Sequence, residues 1–118
     1  MNSKDLLKLV GQFGAPLYVY DADKITSQYK RLTKAFEGVP HLRLNYAAKA
    51  LSNISILRLM NSLGSGLDTV SIQEVKLGLM AGFKPESIIF TPNGVSLEEI
   101  EEAASLGVQV NIDNLSIL

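Results

Sequence analysis

The apolar positions of this chain follow two alternating rhythms. Near the N-terminus, Ser3 can cap a short helix through about Gln12, which Gly11 and Gly14 then stop. "PLYVY", Pro16 to Tyr20, is rich in β-formers and predicts a strand. From Asp23, apolar residues return at helical spacing as Ile25, Tyr29, Leu32 and Phe36, until Gly38 and Pro40 end the pattern. "LRLNYAA", Leu42 to Ala48, predicts a strand, and Asn53 caps a helix from Ile54 to Leu63 that Gly64 stops. A short strand, "GLDTV" (Gly66 to Val70), precedes "SIQE" (Ser71 to Glu74), a capping box opening a helix to about Ala81. "SIIFT", Ser87 to Thr91, is the next strand. A second capping box, "SLEE" (Ser96 to Glu99), opens a helix to about Leu106. "VQVNI", Val108 to Ile112, is a further strand, and "DNLSIL" begins another helical pattern.

From the second of these strands onward, the centres are Leu44, Asp68, Ile89 and Val110, so successive strands lie 24, 21 and 21 residues apart. Strand and helix alternating at so short a period predict βα units on a parallel sheet, each crossover right-handed. An open doubly wound sheet and a (β/α)8 barrel both satisfy that pattern. The tight period and the lack of a glycine-rich dinucleotide loop favour the barrel. A complete barrel takes about 250 residues. Four βα units therefore predict an α/β fold that is the first half of a TIM-like barrel, cut within its last helix. Such a half leaves open strand edges, and the expectation is a fragment of a larger protein. The predicted organisation is an N-terminal helix and strand over residues 1–20, then a partial barrel domain over 21–118.

Composition narrows the partners. The 118 residues are 47% hydrophobic and 19% charged with net charge −1, as expected for a soluble globular chain without a nucleic-acid footprint. With no cysteine, these residues cannot form a disulfide, a thiolate nucleophile or a cysteine-ligated zinc site, and the one histidine, His41, cannot build a histidine-rich metal centre. Lys4, Asp5 and Lys8 break the apolar residues of "MNSKDLLKLVGQFG", which does not read as a signal peptide. No apolar run approaches the roughly 20 residues that span a bilayer. A cytoplasmic chain is expected.

In a parallel barrel the active site gathers at the C-terminal ends of the strands. Those ends carry Lys49, Asp68, Thr91 with Asn93, and Asp113 with Asn114. Lys49 is the local charge in "LNYAAKALSN", flanked by Ala47, Ala48, Ala50 and Leu51. A lysine attacks a carbonyl only when neutral, and apolar surroundings favour that form. Lys49 is thus a candidate imine-forming amine; the plainer reading is a lysine snorkelling from a strand end to solvent. Asp68 can orient that amine from the next strand, or merely turn the chain after "GSG". Glu74 is explained by its capping box. Glu98, Glu99, Glu101 and Glu102 read as a solvated face near the positive end of their helix. His41 reads as a surface residue, and Tyr18, Tyr20, Tyr29 and Tyr46 as packing residues.

"NYAAKALSN" resembles the Tyr-Ala-x-Lys-Ala motif of the fold-type III, pyridoxal-phosphate-dependent decarboxylases. "GSGLDTVSIQEVKLGLMAGF", Gly64 to Phe83, is similar to that family's second signature, Gly-Ser-Gly-Phe-Asp-x-x-Ser-x-x-Glu. "APLYVYD" before them resembles the family's lead-in strand, and "IIFTPNGVSLEEIEEAASLGVQVNIDNLSIL" its third and fourth strands. Two positions depart from the motifs: Leu51 stands where asparagine is usual and Leu67 where phenylalanine is. The resemblance implies the alanine racemase-like barrel, amino-acid decarboxylation and a homodimer. It implies pyridoxal 5'-phosphate as cofactor, linked to Lys49, with Asp68 close to lysine and cofactor. It also implies that the glycine-rich phosphate loop, the histidine over the cofactor ring, the acidic partner of the pyridine nitrogen and a C-terminal β-domain lie beyond these residues. The 118 residues alone are then expected to be inactive. A non-catalytic pyridoxal-phosphate carrier and a half-barrel interaction module without cofactor are the competing readings.

Overall fold

The computed structural model describes residues 2–112 and Leu115. Asp113, Asn114 and the helix expected of "DNLSIL" lie outside the described residues, Leu115 apart. The described residues cluster into two units, one running through Ala35 and one starting at Phe36.

The first unit holds α1 (Ser3–Phe13) and α2 (Ala22–Ala35). The cap of α1 is Asn2, one residue earlier than Ser3. Asn2 Oδ1 accepts from the Asp5 N–H at 3.0 Å and Asp5 Oδ2 accepts from the Asn2 N–H at 3.2 Å, a complete capping box. The strand expected over Pro16 to Tyr20 is not formed; that segment is irregular. Its β-propensity is real, but a strand exists only through hydrogen bonds to a neighbour, and no neighbour pairs with this segment among the described residues. The segment stays unpaired, with Tyr18 90% exposed.

The second unit is a run of βα units. β1 (Asn45–Ala47) ends in a 3-10 turn, Ala48–Ala50, followed by α3 (Ile54–Ser62). Next come β2 (Gly66–Thr69), α4 (Ile72–Met80), β3 (Ile88–Phe90), α5 (Leu97–Ser105) and β4 (Gln109–Val110). The strands pair in parallel in sequence order, β1-β2-β3-β4. The strands expected in this unit run over five or seven residues and shorter ones form, of two to four residues, because the ladder stops where the neighbouring strand stops.

The register places Ala47, Asp68, Ile89 and Gln109 across from one another. Side chains alternate along each strand, so Leu67, Thr69, Ile88 and Phe90 share the opposite face. All four are fully buried. They form the core with Ile56, Leu57 and Met60 of α3, Val75 of α4, and Ile100 and Ala103 of α5. The helices cover one face of the sheet and the other remains half-exposed or exposed, as for part of a barrel wall. Helix α4 sits close on the sheet because Gly78 has no side chain: a Cβ there would meet the methyl groups of Leu67 and Ile88.

The caps of α3, α4 and α5 follow the sequence with one difference. Ser96 and Glu99 form the expected box on α5. At α4, Ser71 Oγ accepts from the Glu74 N–H at 3.2 Å, but Glu74 Oε2 accepts from the Val70 N–H at 2.8 Å, one residue ahead of the cap. The expected box is therefore only half made, and the Glu74 carboxylate ties the end of β2 to α4. The acidic run on α5 is likewise not all free solvated charge. Glu99 caps the helix, and Glu102 pairs with Lys76 of α4 at 2.7 Å.

Candidate functional site

Lys49 lies in the turn directly after β1, at the C-terminal end of the strand. A 3-10 turn advances about three residues per revolution, so its residues face in different directions. Ala48 turns inward and is 1% exposed, while Lys49 and Ala50 face solvent. The expected apolar burial of the lysine is not present. The small neighbours give the amine room rather than a dry pocket. The turn is closed by the Leu51 N–H donating to the Ala48 carbonyl at 3.1 Å. It is braced from β1 by Tyr46, whose hydroxyl donates to the Leu51 carbonyl at 3.0 Å. Tyr46 was expected only to pack; here it fixes the loop that carries the lysine.

Asp68 is half-exposed on β2 and pairs in register with Ala47, two residues before Lys49. Thr91 follows β3 and donates from Oγ1 to Asp68 Oδ1 at 3.1 Å. Asn111, just past β4, donates from Nδ2 to Thr91 Oγ1 at 3.0 Å, and Gln109 Nε2 donates to Asn111 Oδ1 at 3.4 Å. All four side chains belong to the face opposite the core. No motif in the sequence singles out Gln109 or Asn111. Their signal was the alternation within "VQVNI", which puts both on the Asp68 face once the register is known. Asn93 makes no hydrogen bond to this group among the described residues, and Glu74 is engaged with the Val70 backbone. The structure thus brings Asp68 and Thr91 together, at the end of the sheet where Lys49 emerges, and leaves Glu74 and Asn93 apart.

A recess in the N-terminal unit is lined by Asp5, Tyr20, Asp21, Ala22 and Asp23. Its carboxylates serve helix ends: Asp5 caps α1, and Asp21 accepts from the Lys24 N–H at 3.0 Å, which lowers its pKa. None of the residues singled out as chemical lines it. Among the described residues no cluster of His, Asp and Glu could hold a metal, and no helix is long and apolar enough to cross a membrane.

A family model described as "Pyridoxal-dependent decarboxylase, pyridoxal binding domain" matches residues 22–118. The chain belongs to the pyridoxal-dependent decarboxylases. A curated relative, diaminopimelate decarboxylase of Methanothermobacter thermautotrophicus, is 40% identical over the whole chain, which covers 28% of that protein. Among solved structures, diaminopimelate decarboxylase from Helicobacter pylori complexed with L-lysine matches 96% of this chain and 28% of its own, with TM-score 0.84 and 39% identity. The lysine/ornithine decarboxylase of Vibrio vulnificus complexed with putrescine matches 97% of this chain and 31% of its own, with TM-score 0.85 and 30% identity. The chain therefore spans about a quarter of the length of the curated relatives it matches. The parallel sheet is the first part of this family's pyridoxal-binding barrel.

The residues present suit the family's cofactor at one point of attachment. Lys49 offers a solvent-accessible primary amine among small residues at the C-terminal end of a strand, with a carboxylate on the neighbouring strand. That is the donor chemistry an aldehyde cofactor requires.

Proposed function

We propose that the protein to which this chain belongs decarboxylates meso-2,6-diaminopimelate to L-lysine and CO2, the last step of lysine biosynthesis, with pyridoxal 5'-phosphate and as a homodimer. The observation that carries the reading is Lys49 at the mouth of β1 with Asp68 on the neighbouring strand, in register with Ala47, inside the stretch matched by the pyridoxal-binding domain of this family. The choice of substrate is supported by the 36–45% identity to diaminopimelate decarboxylases of several organisms. A second reading, a decarboxylase of ornithine or a related amino acid, is favoured by the likeness to the Vibrio vulnificus enzyme.

In the first reading Lys49 Nζ holds the cofactor through its aldehyde carbon. When bound, the cofactor would supply an electron sink for the decarboxylation. The chain's own residues do the rest at this mouth. Tyr46 keeps the turn closed so that Nζ emerges from a fixed point. Asp68 offers a carboxylate to the positive charge that the Lys49 nitrogen would keep once joined to the aldehyde. Lys49 Nζ, when free, is the proton carrier placed at the strand end.

Borohydride reduction after incubation with pyridoxal phosphate tests the assignment, with the adduct mapped by peptide mass spectrometry. Label is expected on Lys49 and should vanish in Lys49→Arg, which keeps the charge but not the amine. Label on another lysine would refute the role given to Lys49. Loss of CO2 from diaminopimelate but not from ornithine would separate the two substrate readings.

A further inference from the structure

We infer that Thr91 and Asn111 are positioning residues that aim the Asp68 carboxylate at the Lys49 side of the sheet, an inference that rests on the cofactor-carrying role given to Lys49 above. The hydrogen bonds run in one direction. Asn111 Nδ2 can only donate, so at 3.0 Å it occupies a lone pair of Thr91 Oγ1. The single hydroxyl proton of Thr91 is then left for its other contact, Asp68 Oδ1 at 3.1 Å. An ionised carboxylate can only accept. The orientation of the Asn111 amide is set in turn by Gln109 Nε2, which donates to Asn111 Oδ1 at 3.4 Å. A relay of donors from the ends of β4 and β3 thus reaches a carboxylate on β2, and the next strand in the sheet is β1, whose end carries Lys49.

The chain of bonds uses only one carboxylate oxygen. Asp68 Oδ2 takes no hydrogen bond from any described residue. With Oδ1 pinned from the β3 side, the carboxylate cannot rotate freely, and Oδ2 is the oxygen free to accept from an N–H cation at the mouth. Hydrogen bonds to an ionised acceptor are roughly twice as strong as neutral ones. The pin therefore acts on the carboxylate itself, not on sheet pairing alone. A purely structural polar ladder would stabilise the sheet and leave the amine's chemistry untouched.

The test uses the protein as expressed from its native gene and follows pyridoxal phosphate capture at Lys49, read as the borohydride-fixed adduct, alongside thermal unfolding. Thr91→Val is expected to weaken capture about tenfold, the effect of losing one charge-assisted hydrogen bond. Thr91→Ser, which restores the hydroxyl, should recover to within about twofold of the parent. Added to Asp68→Asn, Thr91→Val should cost nothing more, because its effect passes through the carboxylate. Capture unchanged in Thr91→Val, with only the unfolding midpoint lowered, would overturn the inference. So would losses that multiply in the double variant. Absence of any Lys49 adduct in the parent protein would overturn the cofactor reading itself, and this inference with it.

Discussion

Lys49 stands at the strand end where the sequence puts it, but not in the surroundings the sequence suggests. Its place after a β-strand was readable from "LNYAAKALSN", but the apolar shelter inferred from its alanines was not formed. Neighbours in sequence are not neighbours in space within a tight turn, where each residue points a different way. What the structure adds is a brace. The Tyr46 hydroxyl bonds the Leu51 carbonyl across the turn, and no spacing rule would have shown it, since tyrosine on a strand packs as readily as it bonds. Tyr46→Phe keeps the ring and removes the hydroxyl that makes that bond. It is expected to cost about 0.5–1.5 kcal/mol in urea unfolding and to slow pyridoxal phosphate capture at Lys49. Unchanged stability and capture would show that the turn holds without the brace.

Elements were legible wherever local chemistry sufficed. Helices α3, α4 and α5 begin at caps visible in the sequence, Asn53, Ser71 and Ser96. Where a contact beyond the cap competed, the details moved: the Glu74 carboxylate reached past Ser71 to Val70. The lead-in strand failed for the opposite reason, since β-propensity alone cannot supply a partner. Helix seating also depends on long-range contact. Gly78 faces Leu67 and Ile88 at a distance no Cβ could share, so Gly78→Val forces β2 and α4 apart. Overpacking of this kind costs roughly 1–3 kcal/mol, and Gly-to-Val gains less than 1 kcal/mol of helix propensity in return. Net destabilisation by about 2 kcal/mol is expected from chemical denaturation. A neutral result would mean that the sheet yields at this point.

The second unit is one wall of a barrel, with its core on the helix side and its chemical face open to solvent. That openness has a functional consequence. Decarboxylation in this family's manner needs a water-excluded site and a cofactor held at more than one point, and these residues cover about a quarter of the length of the relatives. The isolated 118-residue chain is expected to capture pyridoxal phosphate at Lys49 yet to release no CO2 from diaminopimelate. A radiometric CO2 assay run beside the borohydride trap would check this. Release of CO2 at a rate above free pyridoxal phosphate would show that this wall alone completes a site.

In the second unit the sequence by itself determined the order of strand and helix, the cap residues of α3, α4 and α5, the parallel pairing and the placement of Lys49 and Asp68 at strand ends, because turns, caps and periodicity are local and the crossover rule leaves few topologies. Only the tertiary structure decided which face of the sheet was buried, which way Lys49 pointed, and that Gln109, Asn111 and Thr91 line up behind Asp68. Each of those outcomes depends on register between strands about 20 residues apart in the chain, and a one-residue shift in register would turn every one of those side chains to the opposite face.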